Sequence, residues 1–223
     1  MTFYESGFGD RLVDPANYPV EIVDFLKDER RALAEALVHA DTLIEVGAMD
    51  GLSLEVLHTF PAVAYVGIEP ALRYVRAGNQ RLKRMGQDIR RRARFIHADA
   101  TSLSGIGARI RGAPLVFFPF NSFGNIGDIK PVADVLASAG FSFAISSYMQ
   151  TEHALEVRRR YYAACGYDEL RFEQYTEGQR FMSREGFCSW AYSDEHLIRT
   201  FSECGVTVTF QRVGLDIQFV RGG

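Results

Sequence analysis

Thr42-Leu43-Ile44-Glu45-Val46-Gly47-Ala48-Met49-Asp50-Gly51-Leu52 is the stretch from which the fold of this 223-residue chain is read. Apolar and β-branched residues around an acid, then two glycines, then the apolar positions Leu52, Leu54, Val56 and Leu57, predict a strand, a tight turn and a helix. Such a turn brings bare backbone and a helix N-terminus up to a ligand. Glycine serves there because a Cβ would collide with the ligand or because φ must be positive. The dinucleotide fingerprint G-x-G-x-x-G fails, since Met49 and Leu52 stand where its second and third glycines belong. Two acids, Glu45 and Asp50, line a pyrophosphate poorly and an amino group or a sulfonium well.

The stretch resembles the first motif of the class I S-adenosylmethionine-dependent methyltransferases, acid-x-Gly-x-Gly-x-Gly. Glu45, Gly47 and Gly51 match it and Met49 departs from it at the middle glycine. The resemblance implies an α/β fold, a Rossmann-like, doubly wound, mostly parallel seven-stranded sheet with an antiparallel C-terminal strand pair. It also implies S-adenosyl-L-methionine as cofactor, bound along Glu45, Gly47, Ala48, Asp50 and Gly51.

Moving outward, residues 63–70 read as a second strand ending in Glu69 and Pro70. Glu69 lies 18 residues beyond Gly51, near the interval that sets a carboxylate beside a ribose in a βαβ unit. The resemblance gives it that role, with Pro70 adjoining. Phe95-Ile96-His97-Ala98-Asp99-Ala100 reads as a third strand and acidic turn, where the resemblance implies adenine contacts from Asp99 and Ala100. Residues 114–119, uncharged and aromatic, suit a central strand buried on both faces. Beyond it the resemblance makes Phe120 an apolar wall against the sulfonium. Asn121 either orients the acceptor or, with Asn125, forms an ordinary turn. Phe118-Pro119-Phe120-Asn121 is not the Asn/Asp-Pro-Pro-aromatic motif of methyltransferases acting on bases and glutamine.

The flanks complete a single domain: an N-terminal lid and helix over residues 1–40, a cofactor-binding core over 41–150, and a substrate side over 151–223. Residues 1–19 are loop-like, either a loosely packed arm or, as in the resembling family, a cap that brings Phe3, Tyr4 and Tyr18 over the cofactor. Helical spacing runs from Pro19 to about Ala40 and again from Pro70 to about Gln87. Seven basic residues between Arg81 and Arg94 are either a phosphate grip or the solvated face of a helix. A short helix over 132–139 and a fifth strand over 141–148 lead to Tyr148, Glu152 and His153, either a helix cap with solvent-exposed polar residues or proton-handling groups, and with Asn121 they supply the catalytic candidates Asn121, Tyr148 and His153. Seven aromatics between Tyr167 and Tyr192 sit on a predicted antiparallel hairpin about Glu177-Gly178-Gln179. Ser193 and Gly205 bracket a last helix, and residues 206–210 and 215–219 alternate as terminal strands about Gly214.

A net charge of −3 argues against a nucleic-acid partner, and no apolar run approaches membrane-spanning length. The N-terminus lacks signal-peptide character, and Cys165, Cys188 and Cys204 lack metal-ligand spacing, which suits reduced thiols in the cytoplasm and no metal site. The expected activity is metal-independent methyl transfer to nitrogen or oxygen of a small, aromatic or amino-bearing metabolite, by in-line displacement with an optional base. Size, motifs and the aromatic C-terminal segment also resemble bacterial tailoring enzymes of secondary metabolism and antibiotic biosynthesis. The partner expected is a small-molecule acceptor, with a homodimer left open. RNA or protein methylation, and a non-catalytic adenosyl-binding protein using the hairpin as an interface, are the competing readings.

Overall fold

The computed structural model describes residues 3–110, 112–214 and 216–223. Its centre is β1 (Thr42–Val46), buried at every position. Parallel pairing joins β1 to β2 (Ala64–Glu69) on one side and to β4 (Pro114–Phe118) on the other. With β3 (Ala93–His97), β5 (Ser142–Tyr148), β9 (Val208–Val213) and β10 (Ile217–Gly222), the sheet order is β3-β2-β1-β4-β5-β10-β9. β10 runs antiparallel to both neighbours, so the sheet is doubly wound and mostly parallel, with the antiparallel ending expected from residues 206–219. Leu215, the first residue of that expected last strand, lies outside the described residues.

Strand alternation sorts the side chains into two layers. Leu43, Tyr65, Leu115 and Phe117 pack with Ala32 and Leu33 of α1 (Val20–Ala36) and Val75 and Leu82 of α3 (Leu72–Arg84). Ile44, Val46, Val116 and Phe118 face α5 (Leu103–Gly107), α6 (Lys130–Ser138) and α8 (Asp194–Glu203) through Leu103, Val132, Leu136, Leu197 and Phe201. As the sequence predicts, the Ser193 hydroxyl caps α8, accepting from His196 N at 3.1 Å.

Three elements differ from their expected form. The helix after the glycine turn shrinks to α2, Val56–Thr59, because residues 47–55 are held in successive turns and Ser53 N–H donates to the Glu45 carboxylate at 2.9 Å. The helix expected up to Gln87 stops at Arg84, and a separate α4 (Gln87–Arg92) follows. The hairpin over 167–192 is a three-stranded antiparallel sheet, β6 (Arg171–Gln174), β7 (Gly178–Met182) and β8 (Cys188–Tyr192). Its second turn is Ser183-Arg184-Glu185-Gly186, with Ser183 N donating to Phe187 O at 3.1 Å.

The basic cluster is divided between structure and solvent. Arg81 donates to Gly51 O at 2.7 Å and pairs with Glu55, and Arg92 donates to the carbonyls of Leu57, Phe60 and Val63 at the end of α2. Among the described residues no helix is long and apolar enough to cross a membrane.

Candidate functional site

Ligands in open α/β sheets gather outside the C-terminal ends of the strands where the chain order reverses. Here the reversal lies between β1 and β4, and a cavity of about 400 Å³ opens at that point. It is within the size range of small-molecule sites. Its walls come from the ends of β1, β2, β4 and β5, the turns after them, the N-terminal arm, α7 (Glu152–Ala164) and the small sheet.

The glycine turn is shaped by its own neighbours. At Gly47 φ is 74°, and a Cβ there would lie 2.8 Å from Ser122 Cβ. Met49 adopts φ 47°, so it holds the left-handed conformation that the resembling motif assigns to glycine. Most of the turn's amides are spent inside the fold: Gly47 and Ala48 donate to Ile68 O, Met49 to Glu69, and Gly51 and Leu52 to Ala48 O. A pyrophosphate would find few donors there, a physical reason beyond glycine spacing against a dinucleotide.

Glu69 closes β2 with its side chain at the cavity wall. One carboxylate oxygen accepts from Met49 N and the other from Ala71 N, each at 2.9 Å. An ionised carboxylate has about four acceptor positions, so about two remain for a ligand. Burial pushes its pKa up, and the two amides oppose that. Beside it the Tyr4 hydroxyl is buried without a hydrogen-bond partner among the described residues. Burial, then the Glu69 charge, raises that phenol far above its ordinary range, so it remains a donor. Asp99 reaches the same end of the cavity from the turn after β3, fixed by Thr101 N at 2.9 Å, and its pKa is lowered first by the Thr101 hydroxyl.

Of the residues singled out in the sequence, Gly47, Glu69, Pro70, Asp99, Ala100, Phe120, Asn121 and Tyr148 line the cavity. Glu45, Ala48, Asp50, Gly51 and His153 do not. Glu45 sits between Ile44 and Val46, so alternation sends it to the opposite layer from Val46, where Tyr65 OH and Ser53 N–H donate to it. It is fully buried, and burial raises its pKa to about 7. Asp50 points outward, 3.8 Å from Arg81. The acids that do line the cavity are Glu5, Glu69 and Asp99, so the negative lining comes from other positions than the loop itself. His153 is half exposed, with Nδ1 2.6 Å from Asp216 Oδ1. Tyr148 is buried, and burial holds its phenol well above its usual range.

Phe120 and Asn121 follow β4 with φ of 44° and 58°, two consecutive non-glycine residues in the left-handed region. Strain of this kind persists only where surroundings fix it. Phe120 N donates to the buried Glu29 carboxylate, whose pKa burial raises to about 7. Asn121 Nδ2 donates to Ser189 Oγ at 3.0 Å and Trp190 O at 2.9 Å, and its Oδ1 accepts from Ser147 Oγ at 3.2 Å. Its amide therefore ties the turn to β5 and β8.

The N-terminal arm covers the cavity with Tyr4, Glu5, Leu12 and Val13. Phe3 and Tyr18 stand behind, against Phe187 and Phe120 respectively. On one side Asp10 pairs with Arg73 at 2.7 Å and accepts from Tyr74 OH at 2.8 Å, and Leu72 N donates to Glu5 at 2.6 Å. On the other, Arg11 donates to Gly166 O at 2.8 Å and Tyr161 OH donates to Leu12 O. Sequence reasoning missed Glu5, Leu12, Val13, Tyr161, Tyr162 and Ser189. Their only signal was aromatic density after Tyr148 and the loop-like start of the chain.

No family model matches the sequence, and no curated protein matches it. Solved structures do. The CcbJ methyltransferase from Streptomyces caelestis superposes with a TM-score of 0.65 at 13% identity, over 99% of this chain and 97% of that one. The glycopeptide N-methyltransferase MtfA complexed with S-adenosyl-L-methionine gives 0.60 at 14% identity, over 87% and 92%. The mitomycin 7-O-methyltransferase MmcR gives 0.61 at 14%, over 90% of this chain and 53% of that one. The chain has the class I methyltransferase fold. With that fold, the cavity lies at the sheet's topological switch point, and Glu69 stands at the end of the strand next to β1.

Proposed function

We propose that this chain transfers a methyl group from S-adenosylmethionine to nitrogen or oxygen of a small molecule. The observation that carries the reading is Glu69, a buried carboxylate on the cavity wall with about two acceptor positions open, beside the orphaned Tyr4 hydroxyl. A ribose presents two adjacent hydroxyls, each donor and acceptor, and fits that pair. Asp99 suits an exocyclic amine at the same end, and Glu5 adds negative charge for a cationic ligand. Similar solved structures named as N- and O-methyltransferases of a glycopeptide and of mitomycin support a small acceptor.

The cofactor, once bound, would supply a methyl group already activated on a sulfonium. What this chain's residues contribute is placement. Strained Phe120, held by Glu29, presents an apolar wall, and Tyr148, Tyr161 and Phe187 extend it toward the acceptor side. The arm excludes water from above. Among the described residues no histidine lines the cavity, and its acids are Glu5, Glu69 and Asp99. The acceptor atom is therefore one that needs no proton removed by a nearby base, and proximity and alignment carry the rate.

Calorimetric titration with S-adenosylhomocysteine tests the reading. The wild-type protein is expected to bind, and Glu69→Gln to bind at least about tenfold more weakly, since each charge-assisted hydrogen bond is worth about 1.5–3 kcal/mol. Absence of binding to the wild type, or unchanged affinity in a folded Glu69→Gln variant, overturns it.

A further inference from the structure

The wall formed by Tyr162 and Ser189 narrows the acceptor's chemistry, given the methyl-transfer reading above. Ser189 Oγ and Tyr162 Oη lie 2.8 Å apart, and both side chains line the cavity. Ser189 Oγ already accepts from Asn121 Nδ2. Each hydroxyl has one hydrogen, and one of the two is spent between them. Whichever group donates, the other hydroxyl keeps a hydrogen with no acceptor among the described residues. The wall thus offers a donor, fixed in place by the Asn121 amide.

Behind this pair stands Arg158 of α7, fully buried. Its Nη2 donates to Ser189 O at 2.8 Å, while among the described residues Nε and Nη1 have no hydrogen-bond partner. Its guanidinium centre lies 5.3 Å from the Tyr148 ring centroid, 5.9 Å from that of Tyr162 and 5.0 Å from that of Phe181. Cation–π contact offsets part of the cost of burying a charge, but no carboxylate pairs with it among the described residues. Glu29, a buried acid on the neighbouring α1, is engaged by Phe120 N. Besides the acids Glu5, Glu69 and Asp99, the cavity wall thus carries a donor backed by a cation that has no carboxylate partner among the described residues.

We propose that the Ser189 and Tyr162 hydroxyls, backed by Arg158, bind an anionic oxygen, phenolate or carboxylate, carried on a flat apolar acceptor. Phe120, Tyr161 and Phe187 supply the faces between which such a body fits. An ammonium-bearing acceptor would face a donor and a buried cation there and is disfavoured.

The test uses full-length protein saturated with S-adenosylhomocysteine, whose own titration is read first. Para-nitrophenolate and para-nitroanisole form one pair of calorimetric probes, para-nitrobenzoate and para-nitrobenzamide the other, at a pH where both acids are ionised. At least one anion is expected to bind about tenfold or more tightly than its neutral counterpart, and the favoured pair tells phenolate from carboxylate. Tyr162→Phe, which keeps the ring, is expected to remove about tenfold of that preference, and Arg158→Met a similar amount while neutral probes bind as before. Should Arg158→Met not fold, Tyr162→Phe decides. No preference for either anion, no binding by any probe, or a preference untouched by Tyr162→Phe overturns the proposal. Loss of S-adenosylhomocysteine binding in the wild type would instead overturn the cofactor reading.

Discussion

Glu45→Gln separates a motif residue's structural role from a ligand role. The Glu45 carboxyl is fully buried, accepts from Ser53 N–H and Tyr65 OH, and is held at about 7 against an ordinary 4.5. Because the folded state binds this proton more tightly than the open chain, the group's contribution to stability is fully present below pH 4.5. It is lost as pH rises through 7. The difference between the two values corresponds to roughly 3 kcal/mol of stability missing at pH 8. Glutamine carries no such penalty: its carbonyl accepts from Ser53 N–H and its amide donates to the Tyr65 oxygen, which leaves the Tyr65 hydroxyl hydrogen without that acceptor, as the protonated carboxyl does when it donates to Tyr65. Urea unfolding of both proteins is expected to show near-equal stability at about pH 4 and a variant more stable by roughly 2–3 kcal/mol at about pH 8. S-adenosylhomocysteine affinity should be unchanged, because Glu45 does not line the cavity. A variant destabilised equally at both pH values, or one that loses tenfold in affinity, would refute the reasoning.

Met49→Gly should relieve left-handed strain of about 1 kcal/mol but remove packing against Tyr4 and Val13, a buried side chain worth about 1.5–3 kcal/mol. Faster trypsin cleavage at Arg11 by mass spectrometry is expected, and an unchanged rate would show that Met49 does not seat the arm. Asn121→Ala removes hydrogen bonds to Ser189, Trp190 and Ser147 and leaves buried groups unpaired, a loss of roughly 2–4 kcal/mol. A melting temperature lowered by less than about 2 °C would contradict it.

The sheet was legible because its signals are local. Buried parallel strands read as apolar runs, and Glu69, Asp99 and Phe120 follow them at strand ends, where alternation and topology leave few choices. What was not legible depends on long-range pairing. Glu45 and Glu69 are both strand acids on the same face of the sheet, and only position along the strand, Glu69 lying two residues beyond the Gly67 that pairs with Glu45, makes one a buried structural group and the other a cavity wall. The short α2 follows from Glu45 taking the Ser53 amide, eight residues away. The third strand of the small sheet hid behind Ser183-Arg184-Glu185-Gly186, a turn whose glycine at φ 89° marks it only in retrospect. Tyr162 and Ser189 meet across 27 residues, and Arg158 reads in sequence as one of three consecutive arginines although it alone is fully buried.

Asp10 and Arg11 are adjacent in the chain, yet one grips the helix beside the nucleoside end and the other the end of α7. Two successive residues therefore fasten the arm to both flanks of the cavity, so the span of chain between the two tethers is a single peptide unit.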